Sequence, residues 1–177
     1  MRHASILALA VALLAASGCR SLDAIRALVQ PPRFEQAPGQ PAEIAFRGVT
    51  AAMPAGGATI RIWTKVTNPN RFGFTLSTLR ATLRLDGTQA ATGDFPLGLP
   101  LEPARHTVVP IEFTISFSDV PALTSVARSA LTGEGVRYRL DGTIGVEAGP
   151  MGQPTFGPLL LLEGDLHTRR VLGAAVR

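Results

Sequence analysis

Ala58-Thr59-Ile60-Arg61-Ile62-Trp63-Thr64-Lys65-Val66-Thr67-Asn68-Pro69-Asn70-Arg71-Phe72-Gly73-Phe74 is the stretch from which the architecture can be read. Ile60, Ile62, Thr64 and Val66 share one face, and Arg61, Trp63 and Lys65 share the other. Apolar and polar positions alternating with period two mark a strand with one buried face. Asn68-Pro69-Asn70 then reads as a turn. Pro69 presets φ, and Asn70 tolerates the left-handed region. Phe72 and Phe74 return apolar mass to the core.

The same period recurs on both sides. Upstream, Glu43 to Val49 places Ile44 and Phe46 on one face. Downstream, Thr78 to Leu85 alternates Leu79, Ala81, Leu83 and Leu85 with Arg80, Thr82 and Arg84. Asp86-Gly87 predicts a type I′ hairpin, whose two central residues need positive φ, with Gln89 to Asp94 returning. His106 to Phe117 is the longest strand candidate, and Pro110 within it points to a sheet edge. Asp119 caps a predicted helix with Pro121 in its first turn. Val120, Leu123, Val126, Ala127, Ala130 and Leu131 form its apolar stripe, and Gly133 and Gly135 end it. Asp141-Gly142 predicts a second hairpin turn between Val136–Leu140 and Thr143–Val146. Phe156 to His167 is the last strand, and the run Leu159 to Leu162 predicts cover on both faces. Seven or eight strands with one short helix predict an all-β fold: a β-sandwich of two antiparallel sheets, like fibronectin type III or immunoglobulin domains.

The order of signals resembles a known family. An apolar strand runs into Asn68-Pro69-Asn70, then an aromatic residue with Gly, then the strand Leu79 to Leu85 with Asp86-Gly87. Leu99-Pro100 and the long strand Val108 to Phe117 follow. This resembles the Water stress and Hypersensitive response (WHy) domain of late embryogenesis abundant (LEA) type 2 proteins, over about residues 42–168. The resemblance implies a β-sandwich with one helix and a part in protection against desiccation or related stress. It implies no reaction and no catalytic residues. The 46% hydrophobic content fits a folded LEA group rather than the disordered ones.

The N-terminus departs from the cytosolic plant members of that family. Met1-Arg2-His3 is a basic start, Ile6 to Ala16 an apolar run, and Ala16-Ser17-Gly18-Cys19 resembles the lipobox of bacterial lipoproteins. The run is about eleven residues, too short to span a bilayer. Residues 1–18 are therefore expected to be removed and Cys19, the sole cysteine, to carry the lipid. Arg20 after the cysteine implies, by resemblance, sorting to the outer membrane of a Gram-negative cell, facing the periplasm. Residues 19–41 read as a lipidated tether, with a helix-spaced Leu22, Ile25, Leu28 and Val29 followed by proline-rich chain. The domain covers 42–168, and 169–177 form a tail.

Charge and side-chain chemistry exclude several functions. The chain has 17 basic and 13 acidic residues, and every basic one but Lys65 is arginine. Loss of Arg2 with the leader leaves a net charge of +3. The arginines are scattered, which argues against a nucleic-acid interface. His106 and His167 each sit beside arginines at strand termini and read as solvated, so no metal or cofactor is expected. Asp86 and Asp141 are explained by turns, and Asp119 by a cap. Hydrolysis of envelope polymers would need a cluster of acids, histidines and nucleophiles that the chain lacks. Trp63 has two readings: packed beneath a helix or loop, or a contact surface flanked by Arg61 and Lys65. The leading expectation is a non-enzymatic, membrane-anchored stress-protective protein acting on envelope proteins or membrane. The alternative is an interaction subunit of an envelope assembly or transport system, using a free sheet edge.

Overall fold

The computed structural model describes residues 28–120, 123–132 and 134–168. The strands in chain order are β1 (Arg33–Gln36), β2 (Ala42–Arg47), β3 (Gly57–Thr67), β4 (Phe74–Leu85), β5 (Thr88–Leu101) and β6 (His106–Ser116). Helix α1 (Leu123–Thr132) follows, then β7 (Val136–Glu147) and β8 (Thr155–Thr168).

β3 organises one half of the molecule. Its inward residues Ala58, Ile60, Ile62, Thr64 and Val66 are all buried, as the alternation predicts. β6 runs antiparallel along one whole edge of β3. β1 and β2 lie end to end along the other edge, interrupted at 37–41. β5, β4, β7 and β8 form the other half in antiparallel order. A single core joins the halves, with Ile60, Ile62, Ile111 and Phe113 from the first and Leu79, Leu83, Leu140 and Ile144 from the second. The all-β sandwich with one helix is therefore present. Its two antiparallel halves are not separate sheets. β2 pairs in parallel with β8 from Ala42–Leu166 to Ile44–Thr168, so seven strands lie on one hydrogen-bonded path, with β6 branching from β3. The opposite side is open: β5 and β6 share no ladder, but Phe95 meets Phe113 edge-on at 5.4 Å.

The sandwich has two ends. At the helix end lie the β4–β5 turn and α1, whose Leu123, Val126 and Ala130 are buried in the core. At the entry end lie the β3–β4 and β5–β6 turns and the chain's arrival from the N-terminal side.

Four local expectations are corrected. First, the tether reading of 19–41 fails from residue 28 onwards. Val29 is 3% exposed in the core and Arg33–Gln36 pair with Thr64–Thr67, so the domain begins before residue 42. Pro31 and Pro32 precede β1 and Pro38 and Pro41 follow it, so none interrupts its ladder. Second, Asp141-Gly142 is not a turn; β7 runs straight through it. Asp86 and Gly87 do take positive φ, 44° and 83°, and close the expected hairpin. Gly142 is required for space: a Cβ there would stand 2.6 Å from Leu161 and 3.0 Å from the Arg80 carbonyl oxygen. Third, Leu159 to Leu162 is not covered on both faces. The β7–β8 register slips between Leu140/Asp141, leaving Leu161 unmatched. Leu161 and Leu162 are buried, whereas Leu159 and Leu160 are 36% and 48% exposed. A bulge of this kind places adjacent side chains on one face. Fourth, Asn70 is not left-handed; Ala104, at φ 53°, takes that conformation at the entry end.

Candidate functional site

The Asn68-Pro69-Asn70 turn forms a buried polar knot. Asn68 is fully buried and Asn70 is 5% exposed. Burying amides without partners is costly, and here every amide group has one. Asn68 Nδ2 donates to the carbonyls of Phe72 (2.8 Å), Leu101 (3.1 Å) and Glu102 (3.2 Å). Its Oδ1 accepts from Asn70 N (2.9 Å) and Asn70 Nδ2 (3.0 Å). Asn70 then clamps Gln30: Nδ2 donates to the Gln30 carbonyl and Oδ1 accepts from Gln30 N, both at 2.9 Å. Asn68 N also donates to the Arg105 carbonyl at 2.9 Å. Three chain segments are thereby tied at the entry end. Both side chains are buried and their N–H donors are all engaged within the fold, which gives the motif a structural role. The clamp on Gln30 was invisible in the sequence, because Gln30 lies 40 residues away.

Trp63 is half-buried on the outer face of β3, directly opposite Pro110 of β6. Neither flanking cation is free. Arg61 pairs with Glu112 at 2.6 Å and Lys65 with Glu35 at 2.9 Å. The Lys65 hydrogen bond and charge hold the Glu35 carboxyl below its usual range. Trp63 is thus a flat aromatic between two neutralised rows, not an aromatic among bare cations.

Folding gathers arginines that the sequence scatters. Arg84, Arg137 and Arg139 line one open groove over β4, β7 and β8, together with Asp86, Glu163 and Asp165. Arg139 donates to Asp141 at 2.9 Å, which lowers the Asp141 carboxyl and raises the Arg139 guanidinium. Asp141 therefore serves as an ion-pair partner rather than a turn residue. Three carboxylates beside three guanidiniums make the groove electrically mixed.

Tyr138 faces inward opposite Gly164, and its hydroxyl has no hydrogen-bond partner among the described residues. Burial pushes the phenol's pKa up, and the Asp165 charge adds to the shift. Gly164 makes room for the ring, since a Cβ there would stand 3.1 Å from it.

His106 is exposed at the entry end and His167 at the helix end. Among the described residues no three His, Cys, Asp or Glu side chains converge as a metal site would require. Also among them, no helix is long and apolar enough to cross a membrane. Cys19 lies outside the described residues.

Comparisons with known proteins agree with this architecture. Among curated protein sequences none matches this chain. The solution structure of a late embryogenesis abundant (LEA) protein is similar at 20% identity and a TM-score of 0.51, covering 92% of this chain and 91% of that one. The solution structure of a protein from Arabidopsis thaliana is similar at 16% identity and a TM-score of 0.54, covering 76% and 85%. At these identities the likeness is one of fold. The family model described as "Late embryogenesis abundant protein" matches residues 64–158, which include the whole knot-forming turn and the β5–β6 connection it binds. With more than half of its length matched, the chain belongs to the LEA_2 family of late embryogenesis abundant proteins.

Proposed function

We propose that this chain is a lipid-anchored, non-enzymatic protein whose LEA type 2 (WHy) domain shields envelope proteins or membrane during desiccation or related stress. The LEA_2 match carries the protective part of the reading. Ala16-Ser17-Gly18-Cys19 carries the anchor, with the outer membrane of a Gram-negative cell, facing the periplasm, as its place. Because the fold already includes Val29 and Gln30, the link from Cys19 to Leu28 is short. Nine residue steps reach at most about 30 Å, so the domain works close to the lipid surface.

The alternative, an assembly subunit that captures a partner by strand addition, is opposed by its own edges. Among the described residues β6 pairs only with β3 and carries Pro110, and β5 pairs only with β4 and carries Pro96 and Pro100. β8, free of β2 over most of its length, carries Pro158. Proline in a ladder places its missing N–H on the unpaired side, and such edges resist further pairing.

Survival of drying and osmotic shock is the test. A deletion strain should die faster than its parent. Restored wild-type chain should rescue it, and Cys19→Ser should not. Equal survival of deletion and parent strains under drying, freezing and osmotic shock would remove the protective reading.

A further inference from the structure

The entry end differs in charge from the helix end, and we infer that it docks on anionic lipid headgroups. Arg33, Thr67 and His106 form one cross-strand row over β1, β3 and β6 at this end. Arg71 lies in the β3–β4 turn, and Arg105 in the β5–β6 turn that bonds to Asn68. All three arginines and His106 are exposed. Among the described residues none of the four is in an ion pair. The carboxylates at the same end are Glu102 and Glu147, while Glu35 is held by Lys65. The helix end has no such excess. Asp86, Asp119, Glu134 and Asp165 stand there against Arg47, Arg84, Arg128 and Arg137, with His167 beside them. Leu28, 67% exposed, adds an apolar side chain where the chain enters.

The inference rests on the lipid anchor proposed above, which fixes the partner. The chain arrives from Cys19 at this end and is locked there by the Asn70–Gln30 clamp. A link of nine residue steps, itself carrying Arg20 and Arg26 against Asp23, brings the arginine cluster within reach of the headgroups. Each arginine near an anionic surface is worth about fivefold in local partitioning. Three of them outweigh two carboxylates, so the domain is held with one end down and the Trp63 face standing upright.

The test uses the full lipidated chain in two kinds of vesicle, phosphatidylcholine alone and phosphatidylcholine with phosphatidylglycerol. The mass of the N-terminal peptide first reports whether Cys19 is acylated. Amide hydrogen exchange then reports contact. With phosphatidylglycerol, residues 68–73 and 102–105 should exchange about tenfold more slowly, and high salt should abolish the difference. Arg33→Gln/Arg71→Gln/Arg105→Gln should lose the effect while staying anchored. Arg47→Gln/Arg128→Gln/Arg137→Gln should keep it. An acylated chain with equal exchange in both vesicles, or with protection at the helix end, overturns the docking and leaves the anchor standing. An unacylated Cys19 overturns the anchor and the docking with it.

Discussion

Replacing Asn68 with alanine should cost this domain a large share of its stability. The side chain makes five contacts through two atoms: three carbonyls meet Nδ2 and two N–H groups meet Oδ1. A net hydrogen bond contributes about 1 kcal/mol, and a buried group left unpaired costs about 1–3 kcal/mol. Nδ2 has only two protons for its three carbonyls, so the five contacts do not add in full. The expected loss is about 4 kcal/mol, against a typical domain stability of about 5–15 kcal/mol. That corresponds to a fall in Tm of roughly 10–15 °C. Urea unfolding followed by far-ultraviolet circular dichroism measures it. Asn68→Asp separates donor from acceptor. It keeps the oxygen that receives Asn70 but turns a carboxylate towards three carbonyls, so it should be at least as damaging as alanine at pH 7. Asn70→Ala, which loses both bonds to Gln30 and one to Asn68, should cost about 2 kcal/mol. A loss below about 1 kcal/mol for Asn68→Ala, or a wild-type-like Asn68→Asp, would refute the account of the knot.

Other changes follow from the same structure. Tyr138→Phe removes a buried hydroxyl that has no partner among the described residues and should stabilise the domain by about 1 kcal/mol in thermal unfolding. Because the folded phenol titrates above its usual 10.0, wild-type stability should be whole below that pH and fall as pH rises through the folded value; Tyr138→Phe should not share the fall. Gly57→Ala would drive a Cβ into the Ile115 carbonyl oxygen and the Met53 sulfur, and should cost about 1–3 kcal/mol by chemical denaturation. Asp141→Asn should lose only a few tenths of a kcal/mol at pH 7, since the pair with Arg139 is well solvated. The Asp141 carboxyl titrates below 3.8 when folded, so its contribution is present above that pH and disappears as pH falls through the folded value. Wild type and Asp141→Asn should therefore converge at pH 2.

What could be read from the sequence was whatever depends on near neighbours. The Ile60 to Val66 alternation, the Asp86-Gly87 turn and the Leu123/Val126/Ala130 stripe are each written within a dozen residues, and each is found. The two Asp-Gly pairs show where that ends. They look alike along the chain, but Gly142 is chosen by Leu161 and Arg80, which reach it only across β7's neighbours. β1 is hidden in the sequence because Pro31 and Pro32 suggest open chain, whereas β3 supplies the pairing. Asn70 reads as a backbone residue because its side-chain partner, Gln30, is distant in sequence. Of the candidate site, the motif was legible and its bonding was not. The arginine groove and the entry-end cluster exist only once the strands align.

The parallel contact of β2 with β8 has a consequence for how the chain is made. It joins residues 42–44, in the second strand, to residues 166–168, the end of the last strand. A polypeptide synthesised from its N-terminus exposes β2 and β3 long before β8 emerges. Until then β2 has one unpaired side, and the leucines of β8 are still to join the core. Pairings between such distant segments form slowly and leave sticky intermediates. Completion of the domain is thus tied to the emergence of its last strand, and a holding chaperone would have its greatest effect during that interval.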